Sequence, residues 1–506
     1  MLDFVFQPDP HRDEPVWRQL ERRLREWIAA GRILPGERLP PSRELAAELE
    51  IGRNSVSQAY QALVDDGVAT ARVGRGTFVA SRPSLRSFRP AAADAGEGSA
   101  GFAWEALMSR ADRRAWPPPR PATVRPDVPI RFDYRGGRVD AEALPVAELK
   151  RAWGRAVGER MSELANVDDA RGWGPLREEI SLSLVSRGIA CEPEDVLVVS
   201  GAQQALDLVA RTLIDPGDVV AIENPGYFGA AWAFKRAGAE LLPIEVDDRG
   251  LRTDALARAL RSTRAKLVYT TPSAQVPTGV TLDAARREML LELSDRHHVP
   301  VLEDDYDSEL RFAGPPLPAL KTRDPAGRVI YVGTFSKALF PGLRVGYVVA
   351  APALLKHMAA ARYFADMGGD VVSQVVVADL LASGALEKHV RRVRRLHAAR
   401  RAALLDALGR CMPEGVVWTR PAAGRLVWLT LPDDVDPEAL AAEAARAGIA
   451  CGRGETCTLD DSGRRSLILS FVNESTDALG EGVAELADMI SKLRRAQTSA
   501  RAGEGR

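Results

Sequence analysis

Five short apolar runs dominate the middle of the chain: Asp195 to Ser200, Asp218 to Glu223, Lys266 to Thr270, Val299 to Glu303 and Val329 to Gly333. Consecutive apolar residues over so few positions describe a strand buried on both faces, and helical patterns fill the intervals between them. This alternation constrains the chain to an α/β domain in which a parallel sheet lies between helical layers. From about Pro413 the pattern changes to mixed helix and strand, which predicts a smaller α+β subdomain closing over the large one. A chain of 506 residues exceeds a single core, so two or three domains are expected. Its composition, 46 % hydrophobic and 27 % charged, is that of a chain that folds.

The N-terminal part reads differently. Val16, Leu20, Leu24, Trp27 and Ile28 repeat at helical spacing, a short helix fits Ser42 to Leu49 with Ser42 as its cap, and another runs from about Arg53 to Asp66. Two extended runs follow, Gly67 to Arg72 and Thr77 to Ala80, with Gly74-Arg75-Gly76 as a hairpin tip. Three helices and a hairpin make a winged helix-turn-helix over residues 12–80. Residues 81–129, rich in Pro, Ala, Arg and Gly and containing Pro117-Pro118-Pro119, are expected to be a linker with a short helix near Trp104 to Arg110. The large domain then covers 130–495, and 496–506 is expected as a disordered tail.

A net charge of -1 excludes nucleic-acid binding by overall basicity, so any DNA contact must come from a local patch. Met1 to His11 lacks the regions of a signal peptide and no apolar run is long enough to span a membrane, so a cytoplasmic protein without membrane contact is expected. The four cysteines, Cys191, Cys411, Cys451 and Cys457, follow no metal-ligand spacing and are read as reduced thiols, with no metal site.

The segments Gly36-Glu-Arg-Leu-Pro-Pro-Ser-Arg-Glu-Leu-Ala46, Arg53-Asn-Ser-Val56 and Val73-Gly-Arg-Gly-Thr-Phe-Val79 together resemble the GntR-type winged helix. The resemblance implies that the helix beginning near Arg53 enters the major groove, with Arg43, Arg53, Asn54, Ser55 and Ser57 as contact candidates. Gly74 and Gly76 let the tip approach a backbone, and Arg75 offers a charge to phosphate or the minor groove. For any single arginine, ordinary solvated surface is the competing reading.

The segment Gly333-Thr-Phe-Ser-Lys-Ala-Leu-Phe-Pro-Gly-Leu-Arg-Val-Gly-Tyr347 resembles the cofactor-lysine motif of fold-type I aminotransferases, in the version carried by MocR/GabR-type transcriptional regulators. The resemblance implies pyridoxal 5'-phosphate held as a Schiff base on Lys337, with Thr334, Ser336 and Arg344 as phosphate ligands. Ser200-Gly-Ala-Gln-Gln-Ala205 is a strand-to-helix junction whose N–H groups at Gly201, Ala202 and Gln203 favour an anion. In Leu302-Glu-Asp-Asp-Tyr-Asp-Ser-Glu-Leu310, Asp304 fits the carboxylate on the pyridinium nitrogen and Tyr306 the phenol on the ring's 3-oxygen, while Asp307 and Glu309 also read as a solvated acidic turn. In Glu223-Asn-Pro-Gly-Tyr227, Tyr227 is read as stacking on the ring, or as a core tyrosine.

This chain departs from the family pattern at four positions. Ile468 stands where an arginine grips the substrate carboxylate, Gly229 where the γ-aminobutyrate-responsive relative is expected to carry a second arginine, Ala274 where a histidine is usual, and Val167 where a tyrosine is common. Cofactor binding with doubtful turnover follows, and γ-aminobutyrate is disfavoured as the effector. The expected protein is a multidomain regulator, a winged helix-turn-helix joined to an aminotransferase-like domain, which senses an amine-containing effector or pyridoxal phosphate itself. The alternative is a working aminotransferase with an appended DNA-binding domain. A domain-swapped homodimer on a double-stranded operator with two half-sites is expected.

Overall fold

The computed structural model describes residues 6–11, 13–72, 74–80, 107–115, 128–165, 169–307, 309–314 and 317–504. Val73, Val167 and most of the expected linker, including Trp104 and Pro117 to Pro119, lie outside the described residues. The chain forms two compact units, Met1–Leu107 and Met108–Arg506.

In the first unit, α1 (Val16–Ala29), α2 (Ser42–Glu48) and α3 (Arg53–Asp65) precede an antiparallel hairpin of β1 (Ala69–Arg72) and β2 (Gly76–Val79). Leu20, Leu24 and Trp27 of α1 meet Leu45 of α2 and Val56, Ala59 and Leu63 of α3 in one core. The i, i+3, i+4 and i+7 spacing of the residues on α1 and α3 accounts for those two helices. Ser42 does not cap α2. Pro41 holds the N-cap position and no side chain bonds there, because proline, with its φ fixed, already ends the preceding segment.

In the second unit the five apolar runs are strands: β4 (Val196–Val199), β5 (Val219–Asn224), β8 (Ala265–Thr270), β9 (Val301–Asp304) and β10 (Val329–Thr334). They belong to an eight-stranded sheet that also holds β6 (Glu240–Asp247), β7 (Gly250–Leu251) and β11 (Gly346–Val349), in the order β4-β11-β10-β9-β8-β5-β6-β7. β10, β9, β8, β5 and β6 pair in parallel, whereas β11 runs antiparallel to both β10 and β4. All five predicted strands therefore point the same way and bring their carboxyl ends to one edge. The parallel sheet of the sequence reading is corrected to a mixed one by β11 and by the β6–β7 hairpin.

The subdomain is built from both ends of this unit. β12 (Val417–Trp418), β13 (Leu426–Thr430), β15 (Gly452–Arg453) and β16 (Ser466–Ser470) make an antiparallel sheet in the order β12-β13-β16-β15. β3 (Phe132–Asp133) pairs in parallel with β14 (Ile449–Ala450). Val427, Leu429 and Leu469 of this sheet pack with Leu404 and Leu408 of the helix Ala385–Cys411 and with Leu479, Val483 and Leu486 of the last helix. That last helix spans Thr476–Glu504, so the segment expected as a disordered tail is largely helical. Within the expected linker, a helix covers Arg110–Ala115, and its Asp112 pairs with Arg236 at 2.7 Å; residues 104–106 of the helix expected near Trp104 to Arg110 lie outside the described residues. Among the described residues no helix is long and apolar enough to cross a membrane.

Leu63 of α3 is fully buried in the core that α3 shares with α1. Leu63→Ala should destabilise the first unit by about 2–5 kcal/mol, read as a lower urea midpoint for that unit.

Candidate functional site

The carboxyl ends of β4, β5, β9 and β10 supply one cluster of side chains. Asp304 ends β9 and is 3 % exposed. Its Oδ2 accepts a hydrogen bond from the Tyr269 hydroxyl at 2.9 Å, and its Oδ1 is buried without a partner among the described residues. Desolvation pushes this carboxyl up to about 7. The Tyr269 bond and Lys337 work against that rise, and Asp305 and Glu223 add to it.

Lys337 lies in the turn between β10 and β11. Burial, with the Arg425 guanidinium beside it, lowers its ammonium pKa below the ordinary value, and Asp307 and Asp304 oppose the shift. Loss of hydration penalises the charged amine, and a neutral amine is the form that can attack a carbonyl carbon. In the same turn the Thr334 hydroxyl oxygen accepts from the Ser336 N–H at 3.2 Å, while the buried Ser336 Oγ has no partner among the described residues.

Beyond β4 the chain turns at Gly201, with φ +83°, into the helix Ala202–Leu213. No side chain caps that helix, and the first N–H groups of a helix lack intrahelical acceptors, so Ala202 and Gln203 can donate to an anion. Arg344 donates to the Ser200 carbonyl and lies against Gly201, where a Cβ would come within 2.9 Å of Arg344 Nη2. After β5, the Tyr227 hydroxyl donates to Gln203 Oε1 at 3.1 Å, and Gln203 Nε2 donates to the Gly229 carbonyl at 3.0 Å. Burial pushes the Tyr227 phenol up to about 12. Tyr227 folds back over Gly229, where a Cβ would lie 2.6 Å from the ring carbon Cζ. A side chain at position 229 would displace the Tyr227 ring and the Gln203 amide. Tyr306 sits beside Gly424, and burial raises its phenol well above the ordinary value.

Three features of the cluster escaped the sequence reading. Arg425, directly before β13 and 4 % exposed, donates from Nε to Asp307 Oδ1 at 2.9 Å and from Nη2 to the Lys337 carbonyl. Asp307 is therefore buried and ion-paired, which corrects the solvated-turn reading for it. Asp366 anchors the β4 turn, accepting from Gln204 Nε2 at 2.7 Å while Gln204 Oε1 accepts from the Ser200 N–H at 2.6 Å. The third is the contact of Gly424 with Ala274, so close that a Cβ on Gly424 would lie 2.9 Å from the Ala274 Cβ. Ile468 is buried on β16, between Leu467 and Leu469 of the subdomain core. Arg465 is turned away, toward the carbonyls of Pro432 and Val435.

In the first unit Arg43, Arg53, Asn54 and Ser57 are exposed at the starts of α2 and α3, and Ser55 is half-buried. Gly74, Arg75 and Gly76 are exposed at the β1–β2 tip, with φ +73° at Gly74 and +106° at Gly76. Arg38 packs on Gly76, where a Cβ would lie 2.9 Å from its Nε.

The family described as "Aminotransferase class I and II" matches residues 140–474, and "Bacterial regulatory proteins, gntR family" matches residues 17–79. The chain is 33 % identical over 96 % of its length to the probable rhizopine catabolism regulatory protein MocR of Rhizobium meliloti, covering 96 % of that protein. It is 34 % identical to the HTH-type transcriptional regulator TauR of Rhodobacter capsulatus, over 92 % of this chain and 96 % of that one. Among solved structures, kynurenine aminotransferase of Pyrococcus horikoshii, in complex with PMP and kynurenine, superposes with TM-score 0.70 at 33 % identity, over 78 % of this chain and 98 % of that one.

The Asp304 carboxyl predicts a pH dependence. Its folded pKa, about 7, exceeds the ordinary 3.8, so its contribution to stability is full below the lower value and is lost as pH rises through the upper one. In the ligand-free chain, Asp304→Asn should remove this loss. The urea midpoint of the variant minus that of the parent should climb across that window and level off above it. Parallel profiles would contradict the assignment.

Proposed function

We propose that this chain, which belongs to the aminotransferase class I and II family in its MocR-type form with a gntR-family domain, is a DNA-binding transcriptional regulator that reads a small amine through pyridoxal 5'-phosphate. The site fits that cofactor on its own terms. Asp304 Oδ1 and Ser336 Oγ are buried polar atoms left without partners among the described residues, and a pyridine nitrogen and a phosphate oxygen are groups that satisfy them.

Lys337 Nζ would hold the cofactor's aldehyde carbon, Asp304 its ring nitrogen, Tyr306 its 3-oxygen and Tyr227 its ring face. Gly201, Ala202, Gln203, Thr334, Ser336 and Arg344 would surround the phosphate. When bound, pyridoxal phosphate supplies a carbon that condenses with amines and a ring that withdraws electrons. Asp304, whose carboxyl is pushed up to about 7, is a proton carrier near neutrality and would share a proton with the ring nitrogen. Arg425 binds the Lys337 carbonyl and so holds the turn that carries the amine.

The observation that carries the sensing reading is Ile468, an apolar side chain where the resembling enzymes grip a carboxylate. A site that holds the lysine but lacks that cation is suited to retain an amine rather than to position an amino acid for turnover. Gly229, which supplies no second arginine, argues in the same direction and disfavours γ-aminobutyrate. The protein acts in the cytoplasm as a homodimer, with the DNA-binding domain of each chain exchanged onto its partner, and its operator carries two half-sites. Binding of the effector shifts the population of DNA-competent dimers. Sedimentation of the full chain as a monomer, with protection of a single half-site, would overturn that architecture.

Lys337→Ala should abolish the absorbance of lysine-bound cofactor and leave gel-shift binding to the operator in place. An unchanged spectrum would refute the lysine assignment, and sustained turnover of an amino acid with a keto acid would refute the purely regulatory reading. A change in operator affinity on adding pyridoxal phosphate alone would make the cofactor itself the effector.

The DNA reading predicts two different losses. Arg53→Ala should cost roughly 1–3 kcal/mol of operator affinity and relax base preference at its position. Arg75→Ala should weaken all sequences alike and reduce the salt slope by about one. Titrations at several salt concentrations separate the two.

A further inference from the structure

Outside the Lys337 site, the helix Ala385–Cys411 and the helix Val146–Glu159 border a surface cavity of about 850 Å³. Its lining holds five cationic side chains, Arg151, Arg155, Lys388, Arg392 and Arg395, against two carboxylates, Glu142 and Glu148. In a chain of net charge -1 this is a local concentration of charge. Arg151 is turned to Glu148 at 3.2 Å and Arg155 to Asp379 at 2.7 Å. Lys388 and Arg395 have no ion-pair partner among the described residues and remain available to a ligand. Gly384, also in the lining, starts the helix Ala385–Cys411 without a side-chain cap, which adds the positive end of a helix dipole.

The cavity has a physical link to the cofactor lysine. His389 lines it and is 4 % exposed, and its Nε2 lies 2.9 Å from the carbonyl of Ala338, the neighbour of Lys337. A carbonyl only accepts, so Nε2 carries the proton and Nδ1 is left as an acceptor, 3.4 Å from Arg392 Nη2. Arg392 thus touches the cavity on one side and the imidazole on the other.

We propose that this cavity binds a small polyanion, a phosphate ester or a polycarboxylate, and that occupancy is passed through His389 to the Lys337 turn. Guanidinium groups match the planar, paired oxygens of either ligand type, and a volume of about 850 Å³ suits a small molecule. An anion that engages Arg392 changes the charge facing Nδ1 of His389 and, through Nε2, the hold on Ala338.

The test titrates the full, cofactor-loaded chain by calorimetry with inorganic pyrophosphate and with citrate, at constant ionic strength. At least one should bind saturably, and the double variant Lys388→Ala, Arg395→Ala should weaken it by about tenfold or more. Arg391→Ala, on the same helix but paired with Glu387 and outside the cavity, should leave the affinity unchanged. The bound anion should also shift the cofactor absorbance. His389→Leu should lose that shift with binding intact, and His389→Gln, which keeps a donor for the Ala338 carbonyl, should retain it. Failure of both anions to bind, equal weakening by Arg391→Ala, or a response to a DNA duplex alone would overturn the site. Binding without any change in absorbance in the parent chain would overturn the transmission.

Discussion

Between β4 and β10, the antiparallel strand β11 enters a space too narrow for side chains at its mouth. A Cβ on Gly346 would lie 2.9 Å from both the Gly201 Cα and the Gly333 carbonyl oxygen, and one on Gly333 would lie 2.3 Å from Cζ of Tyr347. This close approach lets β11 hydrogen-bond on both sides and draws Arg344 across Gly201. The chain between β10 and β11 has to turn back at the sheet edge, and Lys337 is carried in that turn. Substituting any of these glycines would push apart elements that share the site, so the lysine's position depends on backbone contact more than on its immediate neighbours in sequence.

The buried carboxylates behind the sheet edge separate scaffold from chemistry. Glu223 accepts from the Thr270 and Thr271 hydroxyls at 2.6 and 2.7 Å. Glu303 accepts from the N–H groups of Leu320 and Lys321 at 2.8 and 2.9 Å. Asp305 takes the Tyr331 hydroxyl at 2.6 Å and Arg187 at 2.8 Å, and Asp307 takes Arg425. Each has at least two donors or a cation, which is what makes a buried charge tolerable. Asp304 has one hydroxyl. A carboxyl left this poorly matched inside a protein stores destabilisation that a suitable ligand relieves.

Legibility in the sequence followed how local the determining interactions are. The helices of the first unit and the five buried strands were readable because their side-chain periods reflect what each element buries. β11 was hidden because its residues read as the end of the lysine motif, and β6 because Glu240, Pro243 and Glu245 interrupt its apolar character. Arg425 gave no signal: a single arginine after Pro421-Ala-Ala-Gly424 looks like loop surface until the fold sets it against Asp307, far away along the chain. The helical end of the chain was missed for the opposite reason, since its polar composition says little about how far a helix runs once its first half is docked. The site was legible where motifs of neighbouring residues carry it, and illegible where distant segments complete it.

Space, more than residue identity, is what the contact between Ala274 and Gly424 fixes. Gly424 reaches Ala274 because the Pro421–Arg425 segment is pressed inward, and Pro421 is itself so close to Gly279 that a Cβ there would lie 2.6 Å away. The same segment delivers Arg425 to Asp307 and to the Lys337 carbonyl. For anyone redesigning this site, Gly424 is the position that admits no side chain while the loop stays where it is. A side chain there would press on Ala274, and making room for it means moving the loop whose arginine binds the Lys337 carbonyl.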